Sequence, residues 1–307
     1  MAPPLDLIAF GLTTLDIAVH RVTALPDGEE GQLVDTIALS PAGTAGGTAL
    51  VARQLGLASA IASAVGDDPQ GQLVRALFDK AGVDTTLLAT DPAHPTSTTV
   101  LPIKANGDRP NWHMIGASLF APAGPDLIAA LDRTAALHWG AVGFPGTAGQ
   151  GAQVLQAAQA RAVYTTCDLI APGPDALREL EALLPHVDLF MPSLAEVAAL
   201  LGTRDPVEGA QAFMVRGARG CLIKLGAQGA LLVRPDAQIH MPALPITPVD
   251  TTSCGDSLCA GFHAARLRGL GDEAALRFAV ATAAQVALGV GTLGLLESYE
   301  ATLELAR

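Results

Sequence analysis

The densest chemistry in the chain lies in Val249–Phe262, which reads VDTTSCGDSLCAGF. Hydroxyls and small residues lead up to one carboxylate, Asp256, and an apolar helical pattern begins at once. Leu258, Gly261, Phe262 and Ala265 recur at helical spacing, so Ser253-Cys254-Gly255 sits at a helix N-terminus. Free backbone N–H groups and the positive end of the helix dipole can hold an anion there. Asp256 stands in the first turn, and the segment alone leaves two readings open. An Asp in that turn is commonly a cap or a dipole partner. It can also take a proton from a hydroxyl that attacks a phosphoryl group held in the cradle. Asp250, Thr251 and Thr252 offer other capping groups, and Ser-Cys-Gly is small enough for a ligand to approach the backbone.

Other polar positions fall near strand ends and turns. Pro41–Thr48 is a glycine-rich turn leading into a helix, but its spacing departs from the G-x-G-x-x-G dinucleotide fingerprint. It is either turn chemistry alone or a backbone-and-Thr44 site for a polar ligand. Asp16, just after the first strand, is either a solvated loop residue or an acceptor for two adjacent hydroxyls of a polyol. Ser193 and Glu196 are spaced as a capping box; alternatively, Glu196 holds a metal-bound water near phosphates. Lys224, ahead of Gly226 and Gly229, can meet a phosphate as a mobile point charge. The seven histidines show no ligand spacing, and the cysteines at 167, 221, 254 and 259 show no metal-type pairing.

The elements that must position these groups alternate regularly. Residues 7–11 read as a first buried strand, and 18–39 as a small antiparallel excursion turning at Pro26-Asp27-Gly28. A helix over 48–57, a strand over 58–65 and a helix over 70–81 closed by Gly82 follow. Residues 98–103 and 111–115 form a second β excursion around Asn106-Gly107-Asp108, a hairpin signal. The two excursions can pair with each other as a lid. Beyond Pro125, helices near 126–134, 150–160, 174–183, 194–201 and 207–216 alternate with strands near 136–143, 162–167, 187–191 and 220–225. That rhythm predicts βαβ units and a mostly parallel sheet covered on both faces, an α/β fold.

Composition bounds the partners. Half of the 307 residues are hydrophobic and only 4% aromatic, which suits parallel strands under Ala-rich helices. Thirty acidic against 18 basic residues leave a formal charge of −12, which argues against nucleic acid or an anionic membrane as partner. No apolar run reaches transmembrane length, and the start lacks a signal-peptide pattern, so a reduced cytoplasmic protein is expected.

Taken together, the chain resembles the ribokinase-like (PfkB) carbohydrate kinase family nearly end to end. Asp250–Asp256 is similar to its D-T-x-G-A-G-D signature, Gly43 through Gly56 to its N-terminal glycine motif, and Val65–Gly71 to its V-G-x-D-x-x-G. Asn106–Arg109 followed by Gly116-Ala117-Ser118 resembles its lid return. The resemblance implies one three-layer α/β/α domain over 1–307 with a small β lid from about 12–40 and 96–116. It implies ATP- and Mg²⁺-dependent phosphorylation of a sugar or nucleoside hydroxyl. By position it makes Asp256 the base, Ser253, Cys254 and Gly255 the anion hole, and Asp16, Gly43, Thr44 and Gly47 substrate positions. Lys224, Gly226, Gly229 and Ser193 fall on the nucleotide side, and Glu196 on Mg²⁺ through water. Asp250 and Thr252 fall where many members bind a monovalent cation such as K⁺, and lids of the family often pair into homodimers. Ser253-Cys254 replaces the commoner Gly-Ala, Ser193 and Gly47 replace Asn, and Thr44 stands where ribose-type members have Lys. Fructose-type sugars, sugar acids and nucleosides are therefore all candidate acceptors. The rivals are a non-catalytic sugar- or nucleotide-binding regulator on the same fold, and an NAD-dependent oxidoreductase prompted by the glycine turns.

Overall fold

The structure, a computed structural model, describes residues 3–24, 26–104, 109–147 and 149–307. The hairpin turn expected at Asn106-Gly107-Asp108 lies outside the described residues. In chain order the elements are β1 (Leu5–Gly11), β2 (Thr14–Val22), β3 (Thr36–Ala42), α1 (Gly46–Gln54), β4 (Ser59–Gly66), α2 (Pro69–Ala81), β5 (Asp84–Asp91), β6 (Thr98–Lys104) and β7 (Trp112–Met114). They continue with α3 (Pro125–Ala130), β8 (Thr134–Gly140), α4 (Gly151–Ala160), β9 (Tyr164–Cys167), α5 (Ala176–Leu183), β10 (Leu189–Phe190), α6 (Leu194–Leu201) and α7 (Pro206–Val215). The last third adds β11 (Cys221–Lys224), β12 (Ala230–Arg234), β13 (Ala237–Met241), α8 (Cys254–Leu267), α9 (Asp272–Ala287) and α10 (Tyr299–Leu305).

Two sheets result. The larger runs β13-β12-β11-β10-β9-β8-β1-β4-β5, parallel throughout except at β11–β12 and β12–β13. The smaller runs β3-β2-β6-β7, with the two excursions joined by parallel pairing of β2 and β6. β5, β12 and β13 were not foreseen. β5 is Thr-rich and half-exposed and β13 is polar, so neither carries an apolar run, while β12 is apolar and buried but only five residues long.

Local chemistry explains the boundaries that were legible. Asp68 caps α2 by accepting from the Gly71 N–H at 2.8 Å, Pro69 opens the helix, and Gly82 ends it in the left-handed region at φ 79°. Along β1 the side chains alternate between faces. Ile8 and Phe10 enter a core with Trp139, Val154, Leu180 and Phe213, and Phe10 stacks on Trp139 at 4.5 Å. Leu7 enters the opposite core with Val51, Phe262 and Phe278 of α1, α8 and α9. A fully buried side chain of this size contributes roughly 1.5–3 kcal/mol. Parallel pairing brings the C-terminal ends of β1, β8, β9, β10 and β11 to one edge, where open α/β sheets bind ligands. Among the described residues, no helix is long and apolar enough to cross a membrane.

Candidate active site

A cleft of about 1380 Å³ runs along that edge and under the smaller sheet. Of the site residues read from the sequence, all but Gly47 and Asp250 line it; those two stand just behind its wall.

The cradle is the start of α8. Ser253 takes the left-handed conformation at φ 54°, unusual for a residue with a Cβ, and turns the chain into the helix. The first full helical bond is Ser257 N–H to Ser253 O at 2.8 Å. The N–H groups of Gly255 and Asp256 come before it and have no intrahelical acceptor. The added bulk of Cys254 packs toward α9, its Sγ 3.7 Å from Ala283 O. Burial pushes that thiol up to about 12, so it stays protonated.

Asp250 does not cap α8. It is fully buried, accepting from Thr252 N–H at 2.8 Å, Thr252 Oγ1 at 2.6 Å and Gly291 N–H at 2.9 Å. Thr292, next along, donates to Pro41 O at 2.7 Å and meets Ser40 Oγ at 3.0 Å. The turn at 291–292 thus fastens both the Asp250 loop and β3.

Asp256 faces the cleft from the first turn of α8. Burial pushes its carboxyl up to about 7, Asp168 adds to that and Lys224 opposes it. Gly47 lies against it: a Cβ at 47 would come within 2.7 Å of Asp256 Oδ2. Thr44, by contrast, spends its hydroxyl internally, donating to Gly140 O at 2.7 Å and accepting from Leu12 N–H at 3.2 Å. Gly43, at φ 93°, passes so close to Leu12 O that a Cβ would stand 2.6 Å away. The glycine turn is therefore knit to the ends of β1 and β8 while its backbone borders the cleft.

Asp16 is not a loop residue. It lies within β2 on the inner face of the smaller sheet, 6% exposed, with Oδ1 lacking a partner. Burial pushes its carboxyl up to about 7, with Thr99 opposing. Beside it Thr14, Thr99 and His113 form a chain of hydrogen bonds of 3.1 and 3.0 Å. Arg109 donates from Nε to Thr251 Oγ1 at 2.8 Å, joining this side to the cradle loop.

These pieces place the buried carboxyl of Asp16, the start of α8 and the carboxyl of Asp256 in one space, and residues 6–298 match the profile of the pfkB family carbohydrate kinases. The chain belongs to the pfkB family. It is 41% identical over 127 residues to a 1-phosphofructokinase of Haloferax volcanii, a match taking in 39% of this chain and 40% of that one. It is 29% identical over 255 residues to a fructokinase of Klebsiella pneumoniae, covering 79% and 80%. The ribokinase of Arabidopsis thaliana solved with ribose and ATP superposes with a TM-score of 0.83 at 23% identity, covering 100% and 99%. That likeness identifies the ribokinase-like fold.

The remaining cleft groups of this pfkB kinase gather around Lys224. Ser193 and Glu196 make the full capping box of α6, with bonds of 2.6 and 3.2 Å. Burial raises the Glu196 carboxyl, Asp168 adds to it and Lys224 opposes it. Gly226 and Gly229, both at positive φ, turn the chain between β11 and β12 along the same wall. Lys224 Nζ donates to Asp168 Oδ1 at 2.8 Å and Oδ2 at 2.7 Å. Asp168 was missed in the sequence. The available signal was a lone carboxylate directly after the apolar-and-Thr strand β9, in the place that Lys224 holds at the end of β11.

Proposed function

We propose that the protein transfers the γ-phosphoryl group of ATP to a hydroxyl of a sugar or sugar-like acceptor, with Asp256 as general base. The observation that carries this is Asp256 itself, a carboxyl near pKa 7 standing at the N-terminus of α8. A base is most effective when its pKa lies near the working pH. In this reading the Asp16 carboxylate, which lines the cleft, accepts from acceptor hydroxyls, and the smaller sheet is the lid that shields them from water. Asp256 takes the proton of the attacking hydroxyl. In the turn Ser253-Cys254-Gly255 the Cys254 N–H is taken by Thr251 O at 3.4 Å, so the N–H groups of Gly255 and Asp256, together with Lys224, stabilise charge on the transferring phosphoryl. Gly226, Gly229 and Ser193 border the nucleotide.

The carboxylate oxygens of Glu196 suit Mg²⁺, a hard cation, held through water. Bound there, Mg²⁺ supplies neutralising charge to the phosphates. The resemblance gives Asp250 and Thr252 to a monovalent cation such as K⁺. Here the Asp250 carboxylate is spent on Thr252 and Gly291 behind the cleft wall, so these residues do not fit an open cation site. A nucleoside is the second acceptor class: Leu12, Leu101, Ile115 and Leu119 give the cleft an apolar wall near Asp16, suited to a base beside its ribose diol.

The chain works as one domain with its lid, in the cytoplasm. The lid's outer face carries Ile37, Leu39, Trp112 and Met114, between 44% and 61% exposed and aligned on one side by the register. A second copy of this chain is the assigned partner for that face. The test is a panel of sugars, sugar acids and nucleosides with ATP and Mg²⁺, with and without K⁺. Turnover of at least one acceptor is expected, and Asp256→Asn should lower it by ~10²-fold or more. Near-normal turnover in that variant refutes Asp256 as base. Binding without turnover across the panel favours the regulator reading.

A further inference from the structure

We propose that Asp168 is a positioning residue for phosphoryl transfer: it holds the Lys224 ammonium beside the anion cradle and diverts it from the carboxylate of Asp256. The inference rests on the kinase reading above and adds a residue to it.

Three carboxylates act on the partly buried ammonium of Lys224. Asp168 bonds it directly, while Glu196 and Asp256 feel its charge. An ammonium has three N–H donors. Two of them go to Asp168, which leaves one for another oxygen. The ammonium also reaches the cradle: a Cβ placed on Gly255 would stand 3.5 Å from Lys224 Nζ, so the missing side chain keeps the space between them open. An ammonium paired with Asp256 instead would block the lone pairs that must take the acceptor proton.

Asp168 is built for this restraint. It is 1% exposed, and its own N–H donates to Trp139 O at 2.9 Å. Its Oδ1 also accepts from Leu169 N–H at 2.8 Å, and the Cys259 thiol approaches Oδ2 at 3.6 Å. His138, Asp168 and Cys259 bring ligand atoms within 4.8 Å of one another, the spacing of a metal site. Both oxygens of Asp168 are already committed to Lys224, so the cation of this cluster is the ammonium. Asp168 also sits where its negative charge opposes ionisation of Asp256.

The experiment compares wild type, Asp168→Asn, Lys224→Met and the double variant by kcat and KM from pH 5 to 9, ATP affinity by calorimetry, and melting. Asp168→Asn should lower kcat by ~10²-fold, the scale of about 1 Å of misplacement, with ATP affinity unchanged or tighter. Its acid limb should move to lower pH, because Asp256 loses a negative neighbour and gains the ammonium; loss of structure alone does not move that limb. The double variant should be no slower than Lys224→Met, since without the ammonium Asp168 has nothing to hold. If Asp168→Asn fails to fold with its charge unpaired, the double variant, with both charges gone, carries the comparison. An unmoved acid limb in a folded Asp168→Asn, or losses that multiply in the double variant, overturns the proposal. A wild type that phosphorylates no acceptor fails the kinase reading and this one with it; failure confined to the variants removes only the role of Asp168.

Discussion

Replacing Gly47 by Ala tests how tightly the base is held. The added Cβ would lie 2.7 Å from Asp256 Oδ2, 3.0 Å from its Cβ and 3.1 Å from its Cγ. Against a contact distance of roughly 3.5 Å, the carboxylate oxygen is about 0.8 Å too close and the side-chain carbons about 0.5 Å too close. Rotating the carboxylate relieves only the first overlap, because Asp256 Cβ is fixed by α8. The whole side chain, or the α1–α8 approach, has to shift by about 0.5–1 Å. A displacement of that size at a reacting group costs up to ~10²-fold in rate. Gly47 is the second residue of α1, where the helix preference of Ala over Gly, at most about 1 kcal/mol, is offset by roughly 1–3 kcal/mol of overpacking against Asp256, so stability should fall modestly. A coupled assay for ADP release, run beside a thermal melt, should therefore show kcat lowered about 10–100-fold in a variant that still melts cooperatively, at a modestly lower temperature. Wild-type kcat in a variant that melts normally would refute the contact as a constraint on Asp256. Asn, which many family members carry here, should be worse than Ala.

The raised carboxyls predict an inverted pH response. Asp16 and Asp256 both have folded values of about 7 against 3.8, so the stability they contribute is full below about pH 4 and is lost as pH rises through 7. Asp16→Asn should accordingly stabilise the ligand-free protein at pH 8, on the order of 2–4 kcal/mol, and little at pH 4, as read by denaturant melts at the two pH values. For turnover the sign reverses: kcat/KM should fall at least tenfold per unit below pH 7, more steeply where Asp16 and Asp256 must both be ionised, and a flat profile down to pH 5 would contradict Asp256 as base. Ser253→Gly should raise stability by about 0.5–1 kcal/mol, since the left-handed backbone at 253 strains a residue with a Cβ. A lower melting temperature would contradict that strain. Ile37→Asp should shift the protein to a smaller species in sedimentation without unfolding it, and an unchanged sedimentation coefficient would count against lid pairing.

The helix that bears Asp256 was legible because its signal is local: small residues, one carboxylate, then apolar helical spacing within fourteen positions. The alternation of strands and helices after Pro125 was legible for the same reason. Asp168 was not, because its meaning depends on Lys224, 56 residues away, and on β9, β10 and β11 lying side by side. The family resemblance gave Gly47 a substrate position, and the sequence alone could not show that Asp256 packs directly against it. Asp16 was left between a solvated loop residue and a polyol acceptor because no strand was read between residues 11 and 18, whereas β2 starts at Thr14 and carries Asp16 on its inner face. The short β10 and the Thr-rich β5 show tertiary pairing deciding what propensity leaves ambiguous.

The turn at Gly291-Thr292 bears on how such kinases can be recombined. Gly291 grips Asp250 and Thr292 grips Ser40 and Pro41, so the root of the smaller sheet and the loop before the cradle share one fastening, some 250 residues from the strand it secures. A graft exchanging only the stretches that form the smaller sheet would leave half of that fastening with the host. The exchangeable unit is discontinuous: it includes the turn after α9, and a chimera that transplants acceptor preference has to carry that turn along.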